Sequence, residues 1–265
     1  MYSILAAGRA CLASVDADTE VERSLSAADA GVSLGNAYYY FASKDIRERY
    51  LQRISKTGQL GAAYETARQS STGGLEGGPS SAFAYSVFAA DAARWQSRHA
   101  EAIDAYRRLV ALYPGERAYA EPLADLLRSF GSRDPKLYIE AAKVYDGLAA
   151  IYPAQSSYPT KAGEVFAEAG EMGEAAKRWR RIAAVAPGSP AARLEVATVF
   201  WDYYQFNDAA AELMALRTAT RDNSVYAFRL GAVFDSNHDI ARAVPEYVKA
   251  LGFDDADRGQ AQERL

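Results

Sequence analysis

Alanines recur along the latter two thirds of the chain at an almost constant spacing, which constrains the fold more than any other feature. They are Ala102, Ala141, Ala175, Ala209 and Ala243, spaced 39, 34, 34 and 34 residues apart. Bulky residues follow at four residues and mostly large apolar residues at seven: Tyr106, Tyr145, Trp179, Leu213 and Tyr247, then Leu109, Leu148, Ile182, Leu216 and Ala250. Steps of four and seven return to one face of an α-helix, and a fixed period indicates a repeat architecture.

A second helix in each unit is predicted from small residues that precede these alanines. They are Ala90, Gly163, Ala197 and Gly231 at twelve residues before, and Ala124 at seventeen before in a longer second unit. Where two antiparallel helices cross closely, only Gly or Ala lets the backbones approach, and large residues one turn away fill the remaining space. Pro114, Pro153 and Pro187 follow the alanines by twelve residues and predict where the second helix ends. Gly131 and Gly170 are expected at turns that need a positive φ.

The stretch AAKRWRRIAAVAP, preceded by AGEVFAEAGEMGE, and the fragment LGAVF at 230–234 carry this pattern most clearly. The pattern resembles the tetratricopeptide repeat (TPR) family. This resemblance implies an all-α fold, a right-handed α-solenoid of antiparallel helix pairs. About five clear repeats are expected, at 83–116, 117–155, 156–189, 190–223 and 224–257, with one or two degenerate repeats before them.

The ends of the chain follow the period less closely. Residues 1–82 predict helical stretches near 2–14, 18–42, 44–56 and 59–68, which are either degenerate repeats or a helical cap. A Gly/Ser-rich linker is expected at 69–81. Residues 258–265 are expected to cap the array or to begin a truncated further repeat.

Composition narrows the classes of function. The net charge is −4, whereas a nucleic-acid-binding protein normally presents a strongly positive surface. One cysteine excludes an internal disulfide framework, and two histidines disfavour a multi-histidine metal site. The sequence contains no run of about 18 apolar residues that could span a membrane. The single cysteine, Cys11, is predicted on the apolar face of the first helix.

The local motifs of the sequence predict turns and core residues rather than catalytic or metal-binding sites. His99 and His238 fall at turns between paired helices. The sequence Asp235-Ser-Asn237-His-Asp239, with Glu246 at the twelfth place, matches oxygen positions of a calcium loop but lacks its glycine, so we interpret it as a polar turn. The basic run at 177–181 is interpreted as a solvated face around a buried Trp179. No catalytic residue, metal or cofactor is expected.

The TPR resemblance also implies that the first helix of each pair lines a concave groove. Twelve residues form the predicted groove: Phe88, Asp91, Trp95, Glu121, Asp125, Glu164, Glu168, Glu195, Trp201, Asp202, Phe228 and Asp235. An acidic face with isolated aromatic residues favours a partner segment that carries basic and apolar side chains.

The sequence therefore predicts a non-catalytic scaffold that binds a protein or peptide partner, with no nucleic acid and no membrane span. Two alternatives stay open: a structural or assembly component of a bacterial cell envelope, and an accessory repeat region of a larger enzyme or sensor. The cytoplasm is the default location, and a signal upstream of these residues would favour an extracytoplasmic one.

Overall fold

The computed structural model describes residues 44–56, 58, 60–72, 79–220, 226–252 and 256–265, in which 13 α-helices and no strands occur. The helices are α1 (Lys44–Lys56), α2 (Leu60–Thr72), α3 (Pro79–Trp95), α4 (His99–Leu112), α5 (Arg117–Phe130), α6 (Pro135–Ile151), α7 (Ser157–Glu168), α8 (Met172–Val185), α9 (Pro190–Asp202), α10 (Phe206–Thr220), α11 (Ala227–Ser236), α12 (Ile240–Ala250) and α13 (Ala256–Arg264). The predicted all-α class is confirmed.

The chain divides into two compact units, Met1–Leu126 and Leu127–Leu265, and the division falls within α5. In the first unit α2 packs on α3 and α3 on α4. In the second unit, each helix from α6 to α12 packs on the next, and α13 contacts both α11 and α12. Helices therefore pack in adjacent pairs, as the repeat pattern predicts.

Local sequence sets where several helices begin and end. The Asp134 carboxylate accepts a hydrogen bond from the Lys136 amide at the start of α6, with Pro135 in the first helical turn. The Ser189 hydroxyl accepts one from the Ala192 amide at the start of α9. Such capping groups satisfy amides that have no partner inside the helix. The predicted terminating prolines, Pro114, Pro153 and Pro187, each lie two residues beyond the end of α4, α6 and α8.

The periodic residues form the core of both units. None of the fifteen alanines and large residues that define the period exposes more than 3% of its surface. The small residues of the first helices are also buried, including Gly163 and Gly231. A Cβ atom at Gly231 would lie 2.6 Å from Cδ1 of Tyr247, and one at Gly163 would lie closer than 3.0 Å to three atoms of Trp179. The large residue thus packs directly against the glycine of its own pair.

In four of the five periodic pairs, the turn between the two helices uses the left-handed backbone region. The residues five positions before four of the periodic alanines have φ of 58° at Ser97, 80° at Gly170, 59° at Tyr204 and 58° at His238, whereas the turn between α5 and α6 has no residue with a positive φ. The expectation for Gly170 and the placement of His238 are confirmed, whereas His99 is the first residue of α4. Gly131 does not have a positive φ. Its small size is needed instead because a Cβ there would collide with the Tyr138 ring.

The first third of the chain differs in part from expectation. The stretches near 44–56 and 59–68 are α1 and α2, and α2 extends to Thr72. α3 already begins at Pro79, a residue well suited to a first helical turn, so the expected boundary at 82/83 lies inside a helix. Helix also occupies both ends of the expected linker at 69–81. The stretches 2–14 and 18–42, Cys11 and residues 73–78 lie outside the described residues.

Candidate functional site

Two of the predicted groove residues are core residues of the first unit. Phe88 is 2% exposed and Asp91 is 3% exposed. The Asp91 carboxylate accepts hydrogen bonds from Arg47 Nε, at 3.0 Å, and from the Tyr106 hydroxyl. The prediction that these two side chains face a partner is wrong, because neither reaches the surface. A carboxylate this deeply buried is retained because its charge is paired and hydrogen-bonded.

The other groove residues of the first unit lie nearer the surface. Trp95, at the end of α3, is 42% exposed. Glu121 forms an ion pair with Arg117 one helical turn earlier, at 3.1 Å, and Asp125 is exposed. An exposed pair one turn apart contributes little to stability, so this part of α5 has a solvated polar surface.

In the second unit, two predicted groove acids share one arginine. Arg128 Nη1 donates to Glu164 at 2.9 Å, and Arg128 Nη2 donates to Glu168 at 2.5 Å. The Glu168 and Glu164 carboxylates raise the pKa of Arg128 above its ordinary value, although burial opposes them. The charges of Glu164 and Glu168 are therefore compensated by Arg128, and they attract a partner less than unpaired carboxylates would.

Two more predicted residues belong to the contact between α11 and α12. The Phe228 ring lies 5.8 Å from the Tyr247 ring. The Asp235 carboxylate accepts a hydrogen bond from the Tyr247 hydroxyl at 3.1 Å and from Arg264 at 3.4 Å. Burial, together with the Asp235 charge, raises the pKa of Tyr247 to about 12. Glu195 is half-buried on α9.

Trp201 and Asp202, the last two residues of α9, line an open cleft of about 680 Å³ in the second unit. The rest of the lining comes from the turn and start of the next helix in the same pair, and from the corresponding turn of the following pair. These residues are Tyr204, Phe206, Ser236, Asn237 and His238. The cleft therefore brings together two of the twelve predicted residues with five that the sequence analysis did not select.

The repeat register explains why these residues meet. Tyr204 and His238 occupy the same left-handed turn position in consecutive repeats, 34 residues apart. Below the turn, the Tyr203 ring packs 4.8 Å from the buried Trp179 ring and holds the end of α9 in place. Tyr204 is 79% exposed. The signal available in the sequence was the aromatic run Tyr203-Tyr204-Gln205-Phe206, which lies where the period predicts a solvated turn.

The cleft has an uncompensated negative charge. Asp202 is exposed and has no ion pair with any residue that the structure describes. None of the seven lining residues is a lysine or an arginine. Three of the seven are aromatic, and the others carry a hydroxyl, an amide, an imidazole and the Asp202 carboxylate. Such a surface can pack against an apolar side chain and attract a cation.

The basic run 177–181 is largely neutralised by neighbouring second helices. Arg178 and Arg181 both pair with Asp146 on α6, and Arg180 pairs with Asp208 on α10. Trp179 is fully buried, as predicted. Arg178 departs from the predicted solvated face, since only 19% of its side chain is exposed. These charges link successive helices rather than forming an anion-binding surface.

The calcium-loop-like segment is a turn between helices, as predicted. Asp239 accepts a hydrogen bond from the Arg242 amide at the start of α12. Glu246 is buried and pairs with Arg217 at 2.6 Å and Lys249 at 2.7 Å. Across the described ranges, no three His, Cys, Asp or Glu side chains are grouped so that they could hold a metal ion. None of the described helices is long and apolar enough to cross a membrane.

Comparison with known proteins relates this arrangement to solved structures only. No family model and no curated protein sequence matches the chain. The chain is similar to a tetratricopeptide repeat protein from Parabacteroides merdae, at 16% identity and a TM-score of 0.45, over 82% of this chain and 84% of that one. It is also similar to YrrB, described as a TPR protein with an unusual peptide-binding site, at 12% identity and a TM-score of 0.37, over 68% and 91%.

A third similar structure is PilW, a type IV pilus biogenesis factor, at 14% identity and a TM-score of 0.38, over 83% of this chain and all of that one. The assignment of the fold rests on the chain's own features. These are helices packed in adjacent pairs, a core that recurs at spacings of 34 and, once, 39 residues, and a close contact between a glycine and the large residue of its own pair at Gly163 and Gly231. The chain has a TPR-like fold.

Proposed function

We propose that this protein is a non-catalytic interaction scaffold that binds a partner segment carrying basic and apolar side chains. The observation that carries the proposal is the cleft at the end of α9, where the half-buried Trp201 lies beside the exposed carboxylate of Asp202. An aromatic residue next to an unpaired charge supports binding of a segment that offers both kinds of contact. The proposed binding site is therefore only the part of the predicted acidic groove at the end of α9.

Two further features support a protein partner over a nucleic acid. The net charge is −4. The densest run of basic residues is engaged with Asp146, Glu174 and Asp208 in ion pairs. A backbone of phosphates would have to compete with those carboxylates for each arginine, and it would gain little affinity from counterion release.

Packed helix pairs are also suited to binding a partner segment. The periodic core fixes the positions of α9, α10 and α11, whose ends and turns carry the cleft residues. A partner segment can therefore bind without ordering much of the scaffold. The entropic cost of association then falls mainly on the partner.

The experiment is a selection of random twelve-residue peptides on the immobilised full chain, followed by calorimetric titration of the selected peptides. We expect a consensus with at least one basic and one apolar residue. The variant Trp201→Ala/Asp202→Lys should weaken binding by tenfold or more while the helical circular dichroism stays unchanged. A matched control is Asp104→Lys, which makes the same change of charge at an exposed residue of α4.

Two outcomes would contradict the proposal. Selected peptides that bind the double variant as tightly as the wild type would place the interaction elsewhere on the protein. Peptides weakened equally by Asp104→Lys would be responding to net charge rather than to the cleft.

A further inference from the structure

Several arginines of this chain stack on an aromatic ring, and three of those with the shortest distances to the ring also pair with a carboxylate. The Arg98 guanidinium lies 4.1 Å from the Tyr64 ring and pairs with Glu65 at 3.0 Å. The Arg242 guanidinium lies 4.4 Å from the Phe234 ring and pairs with Asp239 at 2.5 Å. The attraction of a guanidinium to a ring face adds to that of the ion pair, because the two act on different parts of the same planar group.

A third example lies on the second unit's ion-pair network. The Arg178 guanidinium lies 4.3 Å from the Phe166 ring, while its nitrogens donate to Asp146 at 3.0 and 3.1 Å. In all three places the ring, the carboxylate and the arginine come from this chain. The combination is thus a repeated solution to holding an arginine near the surface.

The cleft at the end of α9 has the ring and the carboxylate but no arginine of its own. The Tyr204 and Phe206 rings lie 6.0 Å apart and are nearly perpendicular, at 89°. Both rings line the same cleft as Asp202. Within the described part of the chain, no lysine or arginine contacts either ring, and Asp202 has no ion pair.

We propose that this cleft is a seat for an arginine side chain of the partner, with the guanidinium against the Tyr204 and Phe206 rings and in contact with the Asp202 carboxylate. This inference rests on the proposed function and names the side chain that the cleft recognises. It also gives Tyr204 a role. An aromatic side chain exposed to 79% on a left-handed turn contributes little to the core, whereas its ring face is available to a ligand.

The test uses tripeptides rather than the unidentified partner. The probes are acetyl-Gly-Arg-Gly-amide and its citrulline counterpart, which keeps the shape of arginine but not its charge. Binding to the ¹⁵N-labelled full chain is followed through the indole signal of Trp201, one of three tryptophans, assigned with Trp201→Phe. We expect saturable shifts with the arginine peptide, and affinity at least fivefold lower for citrulline.

Substitutions at Tyr204 separate ring chemistry from bulk. Tyr204→Phe keeps the ring and should change the arginine affinity by less than about twofold, whereas Tyr204→Leu keeps an apolar side chain without a ring and should reduce the affinity about three- to tenfold. Asp202→Asn should reduce it by a similar factor. Asp104→Asn is the matched control at an exposed acid of α4, and it should leave the affinity unchanged.

Three results would overturn the seat: equal affinity for arginine and citrulline, equal affinity of Tyr204→Leu and wild type, or no shift at 20 mM of the arginine peptide. Failure here is distinguishable from failure of the proposed function. If twelve-residue peptides still require Trp201 and Asp202 but arginine and citrulline bind alike, the scaffold proposal stands and the arginine seat is refuted.

Discussion

A methyl group added at Gly163 tests the packing inside a helix pair. The new Cβ would lie closer than 3.0 Å to Nε1, Cδ1 and Cε2 of Trp179, a separation that real Cβ atoms essentially never show. The indole is fully buried and is enclosed on its other side by the Phe200 ring at 5.5 Å and the Tyr203 ring at 4.8 Å. The ring therefore cannot move away without disturbing α9.

The size of the effect follows from three contributions. Forcing a methyl group into a packed core costs about 1–3 kcal/mol. Displacing the indole also strains its hydrogen bond to the Thr160 carbonyl, now 3.3 Å long, and a lost bond costs about 1 kcal/mol. Alanine regains about 1 kcal/mol over glycine through helix propensity. We expect Gly163→Ala to lower the free energy of unfolding by about 2 kcal/mol.

A double-mutant cycle shows whether the cost comes from this one contact. The fourth repeat has Ala197 and Leu213 at the two equivalent positions, so the pair alanine and leucine is one that this chain already packs. Trp179→Leu alone should be destabilising because it leaves a cavity. In that background the added methyl at Gly163 should stabilise the protein by about 1 kcal/mol through helix propensity, which gives a coupling energy of about 3 kcal/mol.

The assay is urea denaturation followed by far-ultraviolet circular dichroism. Gly147→Ala is the matched control, since it makes the same substitution inside α6 with no heavy atom within 4 Å of the new Cβ. This control should stabilise the protein by about 0.5–1 kcal/mol. If Gly163→Ala is also stabilising, or costs the same with leucine at residue 179, the close-contact explanation is refuted.

Two more predictions concern ion pairs and turns. Burial raises the pKa of Glu246, but hydrogen bonds from Arg217 and Lys249 outweigh it and hold that pKa below its ordinary value. Glu246→Gln should therefore destabilise the protein by about 2 kcal/mol near neutral pH. The difference from wild type should shrink as the pH falls through the folded pKa, and a difference that grows in urea titrations at lower pH would contradict this. Ser97→Gly should stabilise the protein by about 1 kcal/mol, because glycine adopts the left-handed turn without strain, and Gly170→Ser should destabilise it by a similar amount. Both are measured by the same urea denaturation. If both substitutions changed the free energy of unfolding in the same direction, backbone strain would be excluded as the cause.

The period was enough to predict the helix pairs and their core. Ala175, Trp179 and Ile182 lie on one face of α8 because of helical geometry, and their burial needs no knowledge of distant residues. Pro187 likewise ends its unit through its own covalent structure. Local rules failed at Gly131, where the constraint is a collision with Tyr138 rather than a positive φ.

The accessible part of the groove could not be read from positions within a repeat. Asp91 and Asp202 both looked like inward-facing acids, but Asp91 is buried because Arg47, 44 residues earlier, reaches it. Glu164 and Glu168 are neutralised by Arg128, at least 36 residues away. Such pairings depend on how successive helices stack, which one repeat does not specify.

The sequence by itself determined the helical period, the core residues and most of the helix ends, because these depend on residues within a turn or two of one another. Only the tertiary structure decided which acids remain unpaired and which turns lie side by side. Asp202 keeps its charge exposed and Tyr204 faces a cleft because two consecutive turns, 34 residues apart, meet in space. Whether a carboxylate or an aromatic ring is available to bind a ligand depends on the groups around it, and those groups come from distant parts of the chain.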